Sequence, residues 1–307
     1  MFYKSIPRLI YHYTNVDTLV KIIENQELWL FSCLGMNDLY DTVWYEKTVV
    51  NWLKQKNKTE DCFGTDIITS ICEAALTKVY LERRWPFAIC FCSQGDLLSQ
   101  WRAYGKDGKG VSIGFDPFIL GANMMPIDEA VSLGDKDTGD GSFFLIDLLY
   151  SMKSINTITE RCFHWIFDPL LEKIRKEKDM DNFVEKFGDE IWGMAIIFAS
   201  FIQRAGLFIK NTCFKEEKEW RLMSFPDSYF SNQKAVPKND SINSITINDK
   251  TTKYYISYNF EDMQCEGLIK EIILGPKFDG NRSMLKSLLS IGALQAIKIR
   301  DSKIPYI

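Results

Sequence analysis

Histidine is nearly missing: the 307 residues hold two, His12 and His164. The eight cysteines, at positions 33, 62, 72, 90, 92, 162, 213 and 265, are scattered and form no C-x-x-C. A Cys/His zinc site therefore has almost no material to draw on, and no metal is expected. Long apolar runs are also lacking. The most apolar internal one, "MAIIFASFI" (Met194 to Ile202), falls well short of the ~20 residues a helix needs to cross a bilayer, so it predicts a buried helix. No basic stretch followed by an apolar one opens the chain. The net charge of −4 argues against global attraction to nucleic acid or anionic membrane, while leaving room for a local basic patch. No period repeats. The glycine-rich "GKDGKGVSIG" lacks the G-x-G-x-x-G order, precedes a strand, and has Val111 after Gly110 where a phosphate loop needs Lys. It predicts a plain tight turn. The acidic stretch 134–141 does not have the ligand ladder of a calcium loop. These absences together predict a soluble, cytoplasmic chain with no membrane span, its cysteines serving as small core residues.

What the chain does have is ordinary globular composition, 46% apolar and 25% charged, with generous aromatics at 14%. Eight Trp and 21 Phe suit a large core and flat faces for a planar ligand. "LIYHYT" reads as a strand, and "NVDTLVKIIEN" as a helix capped by Thr14 or Asn15, with Val16, Leu19, Val20 and Ile23 on one face. "ELWLFS" is a second strand. The span from Asp38 to Arg84 is mostly helical and split by the polar "KQKNKTED". "PFAICFCS", "DLLSQWRAY" and "VSIGF" follow as strand, short helix and strand, with Asp96 placed to cap the helix. From about Phe143 to Ile209 the pattern is again helical, and His164 in "CFHWIF" reads as a helix imidazole. The last third gives strands in "EWRLMSF", "KYYISYN", "IKEIILG" and "LQAIKIR", with a helix in "NRSMLKSLLSIG". A long polar loop is expected between Asp227 and Lys250. The architecture predicted is α+β: one domain over residues 1–307, with core segments at about 1–35, 85–133 and 210–307. Helical insertions are expected at about 38–84 and 142–209.

Three places carry chemistry. His12 sits among aromatics at a strand end, either as a satisfied half-buried ring or as a polar handle on a ligand. The segment Ser93 to Tyr104 gathers hydroxyls, Trp101, Arg102 and Tyr104. In "FKEEKEWRLM", Glu217 and Glu219 lie two residues apart, so a strand starting there would point both carboxylates to one side. Such a pair suits a site that stabilises developing positive charge. The bland alternative is a charged loop leading into an edge strand.

Taken together these segments resemble known families. "YHYTNVDTLVKIIENQELWLFS" is similar to the first strand and helix of the ADP-ribosyltransferase superfamily. The whole chain resembles the bacterial DUF2971 family, through Y-H-Y-T (Tyr11–Thr14), S-Q-W-R-A-Y-G…G-V-x-I-G-F (Ser99–Phe115) and E-x-E-W-R (Glu217–Arg221). The superfamily resemblance implies a split β-sheet core and cleavage of the nicotinamide–ribose bond of NAD, with ADP-ribose passed to an acceptor. Such a reaction runs through an oxocarbenium-like centre and needs a carboxylate near the ribose. The resemblance gives Glu219 that role, and Glu217 the upstream acid that orients an acceptor. It gives His12 an adenosine-ribose hydroxyl, the Tyr13 backbone the nicotinamide carboxamide, and Thr14 a place in the same pocket. Many relatives have Gly where Tyr13 stands. Trp101 or Tyr104, the latter slightly favoured, would stack on nicotinamide. Ser93 and Ser99 would support the pocket, and Arg102 would meet a phosphate or Glu219.

The resemblance further implies a macromolecular acceptor, with nucleic acid favoured over protein, and a toxin of conflict systems or phage defence, in some cases held by an antitoxin. Lys210, Lys215, Lys218 and Arg221 would supply the basic surface. Two other outcomes stay open: an NAD glycohydrolase, with water as acceptor, and a binding module without catalysis.

Overall fold

The computed structural model describes residues 6–33, 39–59, 65–78, 86–120, 123–124, 143–177, 183–224, 228–231, 234–237, 242–247, 251–260, 267–289 and 296–306. The acidic stretch 134–141, Cys62 and Cys265 lie outside them.

The chain opens with strand β1 (Ile10–Thr14), helix α1 (Val16–Asn25) and strand β2 (Glu27–Ser32). Asn15 caps α1, its side chain accepting from the Thr18 N–H at 2.8 Å. Leu19, Ile22 and Ile23 form the buried face of α1, with Ile22 standing where Val20 was expected. Two helices follow, α2 (Leu39–Thr59) and α3 (Thr65–Lys78). The polar "KQKNKT" does not interrupt α2 but forms its last turns, since these residues are competent helix formers. Then come β3 (Phe87–Cys92), α4 (Leu98–Ala103), β4 (Val111–Phe115) and the short β5 (Asn123–Met124).

Two expectations fail here. Phe143–Asp147 is a strand, β6, because it pairs along its whole length with β7 (Glu219–Ser224). An apolar run this short fits helix or strand equally, and the partner decides. The helical insertion therefore starts later, with α5 (Met152–Lys176) and α6 (Phe183–Gly206). The polar region after Asp227 contains β8 (Ser228–Ser231), β9 (Lys234–Pro237) and β10 (Ile242–Ile247) rather than one loop. β8 and β9 pair with each other, and β10 pairs with β11 (Thr251–Asn259). The chain ends with β12 (Ile269–Leu274), α7 (Arg282–Leu288) and β13 (Lys298–Asp301).

The result is a mixed α/β fold on an open, mixed sheet. Among the described residues the strand order is β10-β11-β2-β3-β1-β4-β12-β13, with β7 and β6 branching from β3. The feature that shapes the molecule is a fork at β3. One edge of β3 pairs with β7 throughout, from Phe87↔Ser224 to Cys92↔Glu219. Its other edge pairs with β2 at Phe87 and Ala88 but with β1 at Cys92. β1 and β2 thus run the same way and leave β3 at opposite ends, joined by α1.

Each face of the sheet has its own core. Ile10, Leu19, Leu30, Phe91, Ile113 and Leu222 pack on the α1 side. On the other side α2, α3, α5 and α6 bury Phe163, Phe198 and Ile202 against Phe144, Ile146 and Met223. No described helix is long and apolar enough to cross a membrane. The "GKDGKG" turn is the tight turn expected, with Lys106, Asp107 and Gly108 all at positive φ. Gly110 belongs there because a Cβ would overlap the Thr14 carbonyl.

Candidate active site at the end of β3

Antiparallel register fixes which side chains share a face. Tyr11, Cys92 and Glu219 lie in one row across β1, β3 and β7. Tyr13, two residues beyond Tyr11, projects the same way. His12, Phe91 and Trp220 project to the opposite, α1-side face. The structure therefore gathers Tyr13, Ser93, Trp101, Glu217 and Glu219 around Cys92, and sets His12 on the other side of the sheet.

His12 sits at the fork. Its Nδ1 lies 3.0 Å from the Cys90 carbonyl, and its ring meets Phe91 edge-on at 5.9 Å. A carbonyl only accepts, so Nδ1 carries the proton and Nε2 is the acceptor. Burial lowers the imidazole pKa, against the opposing pull of the Cys90 carbonyl, so the ring is neutral at pH 7. Thr14 closes β1 and is buried opposite Val111.

On the helical-block side, Tyr13 and Trp101 pack edge to face at 4.8 Å against Cys92. The Tyr13 hydroxyl donates to the Gln94 carbonyl at 2.7 Å and accepts from the Leu97 N–H at 3.0 Å. Trp101 is fully buried, and its indole N–H donates to Asp96 at 2.7 Å. It is a core residue, with no open face for a nicotinamide. Tyr104, just past α4, is 54% exposed, and Arg102 is exposed on the same helix. Asp96 is not the helix cap; Leu97 holds that position without a side-chain cap. Its carboxylate takes three donors instead: Trp101, the Ser302 hydroxyl at 2.6 Å and the Lys303 N–H at 2.7 Å. Ser99 Oγ is buried with no hydrogen-bond partner among the described atoms.

The acids lie across β3. Residues Thr212–Glu217 form a 3-10 turn, and Lys218 then takes a left-handed conformation at φ 47°, its carbonyl accepting from the Ser93 N–H. β7 starts at Glu219, so Glu217 precedes the strand and alternation cannot align the pair. The Lys218 kink does it instead. Both carboxylates reach Lys210 Nζ, Glu217 at 2.7 Å and Glu219 at 2.8 Å. The other Glu219 oxygen accepts from Arg221 Nε at 2.7 Å, and Arg221 also donates to the Leu207 carbonyl. The Glu219 backbone N–H donates to the Tyr150 hydroxyl.

Burial alone would push the Glu219 pKa up. Arg221 and Lys210 more than offset this and hold it at about 2, so the carboxylate is ionised throughout the physiological range. Lys210 and Arg221 are buried, at 3% exposure each, and cannot form the basic surface expected of them. Lys215 and Lys218 are exposed. The signal for Lys210 was in the sequence: it follows the apolar "LFI" at 207–209. His164 is a helix-surface imidazole beside Asp168 at 2.9 Å. Among the described residues no group of three His, Cys, Asp or Glu is arranged as a metal site.

No curated protein and no solved structure matches the chain. A family model described as "Protein of unknown function (DUF2971)" matches residues 100–222, which run from α4 to β7 and include Glu217, Glu219 and Arg221. That match supports the DUF2971 family for this chain.

Proposed function

We propose that the chain is an NAD-dependent ADP-ribosyltransferase that cleaves the nicotinamide–ribose bond and passes ADP-ribose to a macromolecular acceptor. The observation that carries this reading is the convergence of Glu217 and Glu219 at the end of β3, on the sheet face that also bears Tyr13. A sugar losing nicotinamide develops positive charge, and a fixed carboxylate lowers the energy of that state more than of the ground state. Lys210 and Arg221 keep Glu219 ionised and immobile. A carboxylate has about four lone-pair positions, so the two it spends here leave others for a ribose hydroxyl. Glu217, with 17% of its side chain exposed against 7% for Glu219, is the acid nearer solvent and the one to meet an acceptor.

In this reading Tyr104, 54% exposed, is the ring that stacks on nicotinamide. His12, on the opposite face of the sheet against Phe91, has no part in this pocket. The toxin and phage-defence setting comes from the family resemblance.

A second reading also has an observation in its favour: both carboxylates are matched by buried cations, as in a structural staple. A nucleotide- or partner-binding module would need nothing more. The test incubates the protein with labelled NAD and total cell RNA, DNA and protein. It compares wild type, Glu219→Gln, and the charge-compensated Glu219→Gln/Lys210→Met. Label entering one fraction with wild type and lost in a folded compensated variant supports the transferase. Nicotinamide release without label transfer selects the glycohydrolase. Absence of both NAD binding and turnover selects the binding module.

A further inference from the structure

We infer that the outer side of α4 is a binding surface for the phosphate backbone of a nucleic acid. Distant stretches of chain build it. Arg102 comes from α4, Lys106 and Lys109 from the tight turn, Lys277 from the segment after β12, and Lys303 and Tyr306 from the end of the chain. Tyr306 organises the patch. Its hydroxyl donates to Asp107, Lys277 Nζ lies 3.7 Å from its ring centroid and donates to Asp107 at 3.1 Å, and the Arg102 guanidinium lies 6.0 Å from the same ring.

The local carboxylates are already engaged. Asp107 holds Tyr306 and Lys277, Asp279 pairs with Lys109 at 3.2 Å, and Asp96 is held by Trp101, the Ser302 hydroxyl and the Lys303 N–H. Arg102, Lys106 and Lys303 make no ion pair among the described residues and face solvent. Five cations thus stand against three acids, in a chain whose net charge is −4. A patch of this size on an acidic protein needs a partner of high charge density, one that gains by releasing counterions. Nucleic acid meets that need better than an acidic peptide. The surface goes beyond the transferase reading, and rests on it only in supplying the class of acceptor.

The test uses the full chain and fluorescence anisotropy. The probes are a dye-labelled single-stranded RNA, the same sequence as DNA, its duplex, and poly-glutamate. Binding to at least one nucleic acid is expected, with Lys106→Glu/Lys303→Glu weakening it about tenfold or more and lowering the log–log salt slope by about 1.4 for a single strand. The control pair Lys21→Glu/Lys153→Glu carries the same charge change elsewhere and should leave binding intact. RNA, DNA and duplex arms identify the source of the backbone. Equal weakening by the control pair, or equally tight poly-glutamate binding, overturns the proposal. So does loss of NAD affinity rather than oligonucleotide affinity in the patch variant, since the cations would then serve the dinucleotide's own phosphates. NAD turnover is followed in parallel without acceptor. Oligonucleotide binding without turnover removes the transferase reading and leaves the surface standing.

Discussion

Two carboxylates hold this molecule together on either side of the Tyr13–Trp101–Cys92 layer, and they work in different ways. Glu219 is buried and bound by two cations, Lys210 and Arg221. Asp96 is half-buried and bound by neutral donors: an indole N–H, a hydroxyl and a backbone N–H. Asp96 joins segments more than 200 residues apart, whereas the Glu219 carboxylate binds cations two and nine residues away. Removing the first takes a carboxylate from two buried cations and leaves Lys210 with Glu217. Removing the second leaves neutral donors, some within reach of water. A protein that only needed a staple could use either kind. Only the ionic one brings a second carboxylate, Glu217, beside the first, and that makes it the candidate for chemistry.

The largest expected effect is at the ionic hub. Glu219→Gln should cost about 3–5 kcal/mol in urea unfolding, because it leaves Lys210 and Arg221 undercompensated. Adding Lys210→Met should recover much of that loss; failure to recover would mean that the carboxylate acts through shape rather than charge. Acid should expose the same asymmetry. With a folded pKa of about 2 against an unfolded value near ~4.3, Glu219 stabilises the fold fully above the unfolded value, and this contribution is lost as pH falls toward 2. His12, with its lowered pKa, adds a loss that begins below the unfolded value of ~6.5. Unfolding midpoints followed from pH 8 to 2 should show both limbs, and the lower limb should flatten in Glu219→Gln.

The neutral hub should give a smaller loss. Asp96→Ala is expected to cost about 1–3 kcal/mol, mainly from the buried Trp101 indole N–H left unpaired. It should also raise amide exchange at Lys303, whose N–H it releases. An unchanged exchange rate would show that the end of the chain is held by Ile304 and Tyr306 alone. The smallest effect belongs to His12→Phe. It removes one hydrogen bond to Cys90 at the fork and should cost about 1 kcal/mol. A much larger loss there would make the fork, and not the acid network, the weak point of the fold.

Much of the fold was legible locally. Glu27–Ser32, Val111–Phe115 and the Asn15 cap follow from β-branched and aromatic runs and from capping chemistry, which act over a few residues. Phe143–Asp147 was not legible, because "FFLID" suits helix or strand and becomes a strand only beside β7. β10 was missed for a related reason: its polar residues look like a loop until β11 pairs with them. At the site, the sequence singled out Glu217 and Glu219, but the left-handed Lys218 brings them together rather than strand alternation. Asp96 looked like a cap because its position suited one, and nothing local could reveal Ser302 and Lys303 as its partners.

The sequence by itself determined the element types with strong local signals, the scarcity of histidine and the residue types available for chemistry. Only the tertiary structure decided which face each residue serves. It put His12 across the sheet from Glu219, buried Lys210 and Arg221 while leaving Lys106 and Lys303 in water, and closed Trp101 into the core. The physical reason is that charge and aromatic rings act by desolvation and distance. Both are set by partners tens to hundreds of residues away, and a linear pattern holds no record of them.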